Sequence, residues 1–241
     1  DRGLFPEVRT FPGGGAPKPP ALHAEMKREL GGVGIVSGYG LTECPIIAMN
    51  TVRCPSDKLA RTEGRVNPPG AEIRVVTLDG RIAGPDEEGE LRLRGPQLCK
   101  GYVDPTLDAN AFDEDGFFRS GDLGFLDADG YVVVTGRLKD VIIRKGENIS
   151  AKELEDLLYT HPAVADVAVI GLPDPALGER CCAVVACEPG ETLAFDAMVA
   201  FLKDAGLMRQ KIPEQLELVI EVPRNAAGKI QKQILRQRFM D

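Results

Sequence analysis

The chain has 241 residues, 43% hydrophobic and 27% charged, with a formal net charge of −8. That composition supports a packed core and excludes a disordered chain. The acidic balance argues against nucleic acid or an anionic membrane as the main partner, while leaving room for a local basic phosphate site. No apolar run approaches the roughly 18 residues that a membrane-spanning helix needs. No signal peptide is visible, and a cytoplasmic location is expected. The opening Asp1-Arg-Gly-Leu-Phe-Pro lacks an initiator Met and reads as a piece of something longer.

Residues 11–20, Phe-Pro-Gly-Gly-Gly-Ala-Pro-Lys-Pro-Pro, read as a Gly/Pro loop. A helix is predicted over about 19–30, where Leu22, Met26 and Leu30 share a face and Gly31-Gly32 stops it. Val33–Val36 is a short strand leading into Gly38-Tyr-Gly-Leu-Thr-Glu43. Residues 56–135 read as all-β, with strands at Glu72–Val76, Glu90–Arg94 and Tyr131–Val134. Leu91 and Leu93 alternate with Arg92 and Arg94, the period-two pattern of a half-buried strand.

From Gly136 the pattern changes. Val141–Arg144 is a strand, and Ser150-Ala-Lys-Glu153 is a capping box opening a helix with Leu154, Leu157 and Leu158 on its apolar face. Strands follow at Val164–Ile170 and Cys182–Cys187, a helix at Phe195–Lys203 ending near Gly206, a strand at Leu216–Ile220 and a helix at Ile230–Phe239. A domain boundary is expected at Gly136-Arg-Leu-Lys-Asp140, dividing the chain into 1–135 and 136–241. The six cysteines form no C-x-x-C pair, and only His23 and His161 could assist a metal, so reduced, packed thiols are expected.

Several motifs carry candidate chemistry. Gly38 through Glu43 joins glycines, which admit close backbone approach, to a hydroxyl and a carboxylate. It fits a surface turn, or a site where Tyr39 faces a purine, Thr42 meets a phosphate and Glu43 holds Mg²⁺. Gly89 through Gly95, followed by Gly101-Tyr102, reads as architecture: a strand ending in tight turns. Phe118-Arg-Ser-Gly-Asp-Leu-Gly124 places Asp122 in a Gly-flanked turn, either as a turn cap or as acceptor for a ribose diol. Arg137 can reach a ribose or phosphate, and Lys139-Asp140 can serve as a charged linker or a hinge. Lys145 through Ser150 is a loop entering the capped helix. Near the C-terminus, Lys229 follows Gly228 on a loop from which a lysine can be carried to a phosphate and away again.

The order and spacing of these motifs resemble the adenylate-forming superfamily of acyl-CoA synthetases, nonribosomal adenylation domains and luciferases. The residues carrying the resemblance are Gly14-Gly-Ala-Pro17, Tyr39 to Glu43, Gly89 to Gly95, Ser120-Gly-Asp122, Gly136 to Asp140, Lys145 to Asn148 and Pro223 to Lys229. It is most similar to bacterial acyl-CoA ligases of fatty, alicyclic or aryl acids. The implied fold is α/β: the C-terminal part of the large adenylate-forming domain, an α/β end plus a distorted β-barrel, followed by a small mobile α+β domain. The implied reaction joins a carboxylic acid to ATP, giving an acyl-adenylate, and then to coenzyme A, giving a thioester and AMP, with domain alternation between the steps.

By the resemblance, Gly15, Ala16 and Pro17 would line the adenine and acyl pockets and Tyr39 would stack on adenine. Thr42 would contact the α-phosphate, and Glu43 would ligate Mg²⁺. Asp122 would bind the ribose hydroxyls, with Arg137 beside it. Lys139 would be the hinge, Gly146 would line the pantetheine path, and Lys229 would bridge α-phosphate and carboxylate in the first step. Arg144 and Lys145 are candidates for a basic patch at the CoA mouth. The sequence departs from the family pattern in three ways. The family's Ser/Thr/Gly-rich phosphate loop is absent, since Gly13 through Lys18 lacks its hydroxyls. Asn225 stands where threonine is common, and Lys232 where arginine is common. The expected partner is therefore an N-terminal part of the same protein, without which these residues would not adenylate acids. A carrier-protein-loading enzyme and a non-catalytic nucleotide-binding fragment are the competing readings.

Overall fold

The computed structural model describes residues 7–15 and 18–240. Two compact units divide between Leu138 and Lys139. No described helix is long and apolar enough to cross a membrane.

The first unit begins with strand β1 (Phe11–Gly13), helix α1 (Pro20–Leu30) and strand β2 (Ile35–Tyr39). Part of the expected Gly/Pro loop is therefore a strand: Phe11–Gly13 pairs in parallel with Ile35–Ser37. Pro20 occupies the first helical turn of α1, where its missing N–H costs nothing, and Gly31 ends the helix at φ 81°. Short strands β3 (Ala48–Met49) and β4 (Arg65–Val66) complete this sheet in the order β1-β2-β3-β4. Between them lies helix α2 (Ser56–Arg61), so the reading of 56–135 as all-β is corrected at its start. The hexapeptide is too short to declare a helical period. It is held by Leu59, which is buried, and by a Lys58–Asp127 ion pair at 2.6 Å.

The β-rich part expected of a distorted barrel is an antiparallel meander, open within the described residues. Its strands are β5 (Glu72–Val76) and β6 (Gly89–Arg94), then, after a one-turn helix α3 (Asp108–Ala111), β7 (Phe118–Leu126) and β8 (Val132–Arg137). Leu91 and Leu93 are fully buried and Arg92 and Arg94 only partly, as the alternation predicts. The expected turn around Asp122 is instead the interior of β7, because cross-strand pairing continues on both sides of its glycines.

The second unit is built on one sheet. Strands β9 (Val141–Arg144) and β10 (Glu147–Ser150) form a hairpin, then follow helix α4 (Ala151–Leu158), β11 (Val164–Asp174), β12 (Gly178–Cys187), helix α5 (Phe195–Asp204), β13 (Gln215–Val219) and helix α6 (Lys232–Phe239). The expected loop at 145–150 is thus mostly strand. Lys145 (φ 50°) and Gly146 (φ 83°) form a two-residue turn, the left-handed pair that matches strand twist.

The continuous apolar run of β12 reflects a sheet covered on both faces. Cys181, Ala183 and Val185 pack with Leu154, Leu158, Met198 and Leu202 from α4 and α5. Cys182, Val184 and Ala186 pack with Leu235 of α6. The adjacent cysteines therefore point to opposite faces, and both are free thiols. Burial pushes Cys182 up to about 12 and Cys181 further in the same direction.

In the capping box Ser150 Oγ accepts from the Glu153 N–H at 3.3 Å, and the Glu153 carboxylate accepts from Lys211 Nζ at 2.6 Å. Helix α6 is fixed by two ion pairs, Lys232–Glu155 at 2.7 Å and Arg236–Asp140 at 2.9 Å. The Glu155 carboxyl also accepts from the Val169 N–H at 2.8 Å. Burial nevertheless dominates and raises its pKa, against the pull of Lys232.

Two stability predictions follow from this packing. Leu154→Ala should cost about 2–5 kcal/mol through transfer and cavity terms, read by denaturant unfolding of the 241-residue chain. A raised carboxyl contributes stability that is fully present below the ordinary glutamate value and is lost as pH rises through the folded one. Lys232→Met should therefore destabilise at neutral pH by about 1–3 kcal/mol, with the deficit shrinking on acidification. A deficit that stays constant between pH 4 and pH 8 would rule out Glu155 as its source.

Candidate functional site

Parallel strands β1 and β2 end side by side, and the carboxyl ends of parallel strands are where open α/β sheets take ligands. Gly14 and Gly15 follow β1, and Tyr39 closes β2. Ala16 and Pro17 lie outside the described residues. Lys18 then anchors the returning chain. Its ammonium, on a side chain 8% exposed, bonds Ser37 Oγ at 2.8 Å, Glu63 Oε1 at 3.2 Å and the Thr62 carbonyl at 3.3 Å.

After Tyr39 the backbone turns back on itself. A Cβ on Gly40 would lie 2.3 Å from the Ile46 nitrogen, so only glycine fits there. Leu41 and Cys44 exchange backbone hydrogen bonds of 3.2 and 3.1 Å, and the Ile47 N–H returns to the Tyr39 carbonyl at 2.9 Å. Thr42 and Glu43 sit at the tip of this closed turn, Thr42 exposed and Glu43 half-buried. Glu43 is held from two sides: its carbonyl accepts from the Cys99 N–H at 2.7 Å, and Oε1 accepts from the Tyr102 hydroxyl at 2.8 Å. That hydrogen bond, with some burial, pushes the Tyr102 phenol up to about 12.

Asp122 is the most constrained member. Its residue is 5% exposed, and its two carboxylate oxygens are held separately. Oδ2 accepts from the Tyr39 hydroxyl at 2.9 Å, and Oδ1 accepts from Arg137 Nε at 2.8 Å. The main chain on either side of Asp122 is irregular, because β7 slips register against β6 between Glu90 and Arg92, and against β8 between Leu123 and Gly124. Side chains replace the missing ladder bonds. Ser120 Oγ donates to the Leu91 carbonyl at 2.5 Å and accepts from the Asp122 N–H at 3.0 Å, while Glu90 Oε1 accepts from the Gly121 N–H at 3.2 Å. Two bulges thus aim one carboxylate, a common use of bulges beside sites. Burial, then the Asp122 charge, raise the Tyr39 phenol, which stays protonated as a donor.

The structure therefore brings Tyr39, Asp122 and Arg137 into one hydrogen-bonded set. Tyr39 is 8% exposed, with its hydroxyl committed to Asp122. Sequence reasoning passed over Glu90, Tyr102 and Lys18. The available signals were a carboxylate in an otherwise apolar–basic strand and a lysine within a Pro-rich loop.

The second unit holds the remaining expected residues. Lys139 is exposed in a 3-10 turn, Leu138–Asp140. Gly146 is at the hairpin tip. Lys229 is exposed on a loop whose backbone is tied down. Asn225 Oδ1 accepts from the N–H groups of Ala227 and Lys229, both at 3.0 Å, and the Asn225 N–H donates to the Lys229 carbonyl at 2.9 Å. Arg224 bonds the Gly228 carbonyl at 2.7 Å and holds Asp166 through two contacts of 2.8 and 2.9 Å. The asparagine that departs from the family's threonine is therefore the residue that closes this loop.

Among the described residues no group of three or more His, Cys, Asp or Glu is placed to hold a metal. His23 is buried, with Nδ1 accepting from the Ile35 N–H at 3.2 Å.

Comparison with known proteins gives two family matches: AMP-binding enzyme over residues 2–103, and AMP-binding enzyme C-terminal domain over residues 153–229. The chain is 39% identical over 235 residues to the medium-chain fatty-acid–CoA ligase of Escherichia coli K12, covering 97% of this chain and 41% of that protein. It is 40% identical over 206 residues to the salicyl-AMP ligase / salicyl-S-ArCP synthetase of Mycobacterium tuberculosis H37Rv, covering 85% of this chain and 36% of that one. The crystal structure of ATP-bound MatB from Rhodopseudomonas palustris superposes with a TM-score of 0.90 at 33% identity, covering 96% of this chain and 46% of MatB. The chain thus spans less than half the length of these relatives.

The Tyr102–Glu43 contact is open to a direct titration. Glu43→Gln should bring the Tyr102 phenol down from about 12 towards its ordinary value near 10. Ultraviolet phenolate absorbance reads the change, and Tyr102→Phe identifies the band. An unchanged titration would mean that Glu43 does not hold this hydroxyl.

Proposed function

Because the chain belongs to the adenylate-forming enzyme superfamily, we propose that it carries one wall of the nucleotide site and the C-terminal domain of an ATP-dependent acid–thiol ligase. In the first step a carboxylate oxygen attacks the α-phosphorus of ATP. The bond from that phosphorus to the β-bridging oxygen breaks, pyrophosphate leaves and an acyl-adenylate forms. In the second, the thiol of coenzyme A loses its proton, its sulfur attacks the acyl carbon and AMP departs.

The observation that carries this reading is the Asp122 carboxylate, buried and fixed between Tyr39 and Arg137. Each carboxylate oxygen keeps a further lone pair, so the pair can accept both hydroxyls of a ribose without rearrangement. Tyr39 would stack on the adenine while its hydroxyl positions Asp122. Gly15, with Ala16 and Pro17, would complete that pocket, and Thr42 would donate to the α-phosphate. Glu43 would hold the Mg²⁺ that arrives with the nucleotide and neutralises phosphate charge. One carboxylate suffices, because Mg²⁺ keeps most of its oxygen ligands from phosphate and water. Lys139 would be the hinge, and Gly146 would line the pantetheine path.

Lys229 would meet charge building on the α-phosphate, where a preorganised cation is worth roughly 10²–10³ in rate. The relatives favour fatty or aryl acids as substrates. A second reading, transfer of the acyl group to a carrier protein, is supported by the M. tuberculosis relative named as a salicyl-S-ArCP synthetase.

The test uses a chain of the relatives' full length that carries these 241 residues. ATP–pyrophosphate exchange should depend on a fatty or aryl acid, and thioester should form with coenzyme A. Lys229→Ala should lower exchange by about 10²–10³ while leaving thioester formation from supplied adenylate within a few fold. Asp122→Ala should raise the KM for ATP. Thioester on a phosphopantetheinyl carrier but not on coenzyme A would select the second reading. Nucleotide binding with no exchange for any acid would sink both.

A further inference from the structure

Strands β9 and β12 share one pairing, Arg144 with Gly178, and then separate. Past that point the Ile143 N–H donates to a side chain instead, Glu179 Oε2, at 2.7 Å. The same carboxylate lies over Gly171 on β11. A Cβ at Gly171 would come within 2.9 Å of Oε1 and 3.0 Å of Cδ, so this glycine leaves the room that the carboxylate fills. Two observations on different strands thus define one socket with one occupant.

The socket sits near the tip of the β9–β10 hairpin, Lys145-Gly146, because Ile143 is one residue pair back from the last pair, Arg144 with Glu147. The tip is tied to the β11–β12 loop by the Lys145 N–H, which donates to the Leu177 carbonyl at 2.8 Å. That loop is itself closed by Asp174 Oδ1, which accepts from the N–H groups of Ala176 and Leu177, both at 2.9 Å. A two-stranded ribbon is marginal by itself. Here Ile142 and Ile149 sit in the core and Arg144 pairs with Glu214, so the ribbon is seated from below, while its single ladder pairing to β12 leaves the Ile143 N–H, next to the tip, to be fixed by the Glu179 side chain. A path lined by backbone must be held to roughly 0.5 Å to serve a reaction.

We propose that Glu179, seated against Gly171, is a positioning residue for the thiol-transfer step. It fixes the hairpin that presents Gly146 to the pantetheine arm. The inference rests on the function proposed above. It deepens that reading by separating the two half-reactions: Tyr39, Asp122 and Arg137 lie in the other unit, and Lys229, which shares this unit, sits on a loop tied to Asp166 and not on the hairpin.

The experiment has two arms. Amide hydrogen exchange at Ile143 in the 241-residue chain reads the clamp. Pyrophosphate exchange and coenzyme A thioester formation, in a chain of the relatives' full length, read the half-reactions. Glu179→Ala should speed Ile143 exchange at least tenfold and lower thioester formation at least tenfold, with adenylation within twofold. Glu179→Gln keeps a carbonyl acceptor and should restore most of both. Gly171→Ala should push the carboxylate aside and reproduce Glu179→Ala, and it carries the test if Glu179→Ala loses its dispersed amide spectrum. Equal loss of both half-reactions, or faster Ile143 exchange with an unchanged thioester rate, overturns the proposal. Wild-type protein that forms adenylate but no coenzyme A thioester instead overturns the functional reading, and the inference falls with it.

Discussion

The Asp122 carboxylate is the constraint on which the first unit turns. It joins Tyr39, 83 positions earlier, to Arg137, 15 positions later, across two different sheets. A carboxylate at 5% exposure is costly unless its lone pairs are engaged. Here a phenol and a guanidinium meet that cost, one on each oxygen. The Tyr39 bond fixes the end of β2 against the meander, so the turn at 40–44 and the strand carrying Asp122 are aligned by one interaction. The bulges in β7 follow from this demand. A regular strand would aim residue 122 by the pleat alone, whereas Ser120 and Glu90 take up the backbone groups that the irregular register releases.

The second unit solves a different problem. Its central strands are buried on both faces, so their stability comes from apolar layers rather than from particular polar contacts. That leaves the sheet's periphery to carry specificity. Each functional candidate there, Lys139, Gly146 and Lys229, sits outside the layers and has a neighbour in the chain that is held in place, by an ion pair beside Lys139 and near Lys229 and by a backbone hydrogen bond beside Gly146. Asp140 beside Lys139 is held by Arg236, Lys145 beside Gly146 by the Leu177 carbonyl, and Arg224 near Lys229 by Asp166. The candidate side chains stay exposed while neighbouring residues carry the anchoring contacts.

Much of this was legible in the sequence where a period was long enough to read. Leu91 and Leu93 against Arg92 and Arg94 gave the strand and its buried face, and Leu154 with Leu158 gave the inward side of α4. The family motifs pointed to Tyr39, Asp122 and Arg137, but not to their mutual bonding, because contacts across 83 residues leave no local periodicity. Short elements escaped for the same reason: β1 has three residues and α2 six, and both are held by tertiary partners rather than by propensity. Glycines misled twice. Around Asp122 and at Lys145-Gly146 they suggested loops, yet in both places they serve strands, as a bulge and as a tight hairpin turn. Glu90 was hidden by its setting, since a glutamate among arginines on a strand face looks like a solvated charge pattern until its burial is known.

The loop of Lys229 sharpens the mechanism proposed for this chain. A lysine on a Gly-containing segment near the C-terminus reads as mobile, and a removable cation is what two successive reactions in one cavity would need. The structure gives the loop little freedom of its own. Asn225 closes it from inside, and Arg224 pins it to Asp166 on the central sheet. If Lys229 serves only the first step, its withdrawal cannot come from flexing this loop without breaking those bonds. Under the proposed function the movement would belong to the unit as a whole, about the expected hinge at Lys139, beside the division between Leu138 and Lys139. Rigidity at the loop is then useful in itself. A lysine fixed to a rigid body arrives at one position, so the ordering entropy of its backbone is spent during folding and not in each catalytic cycle.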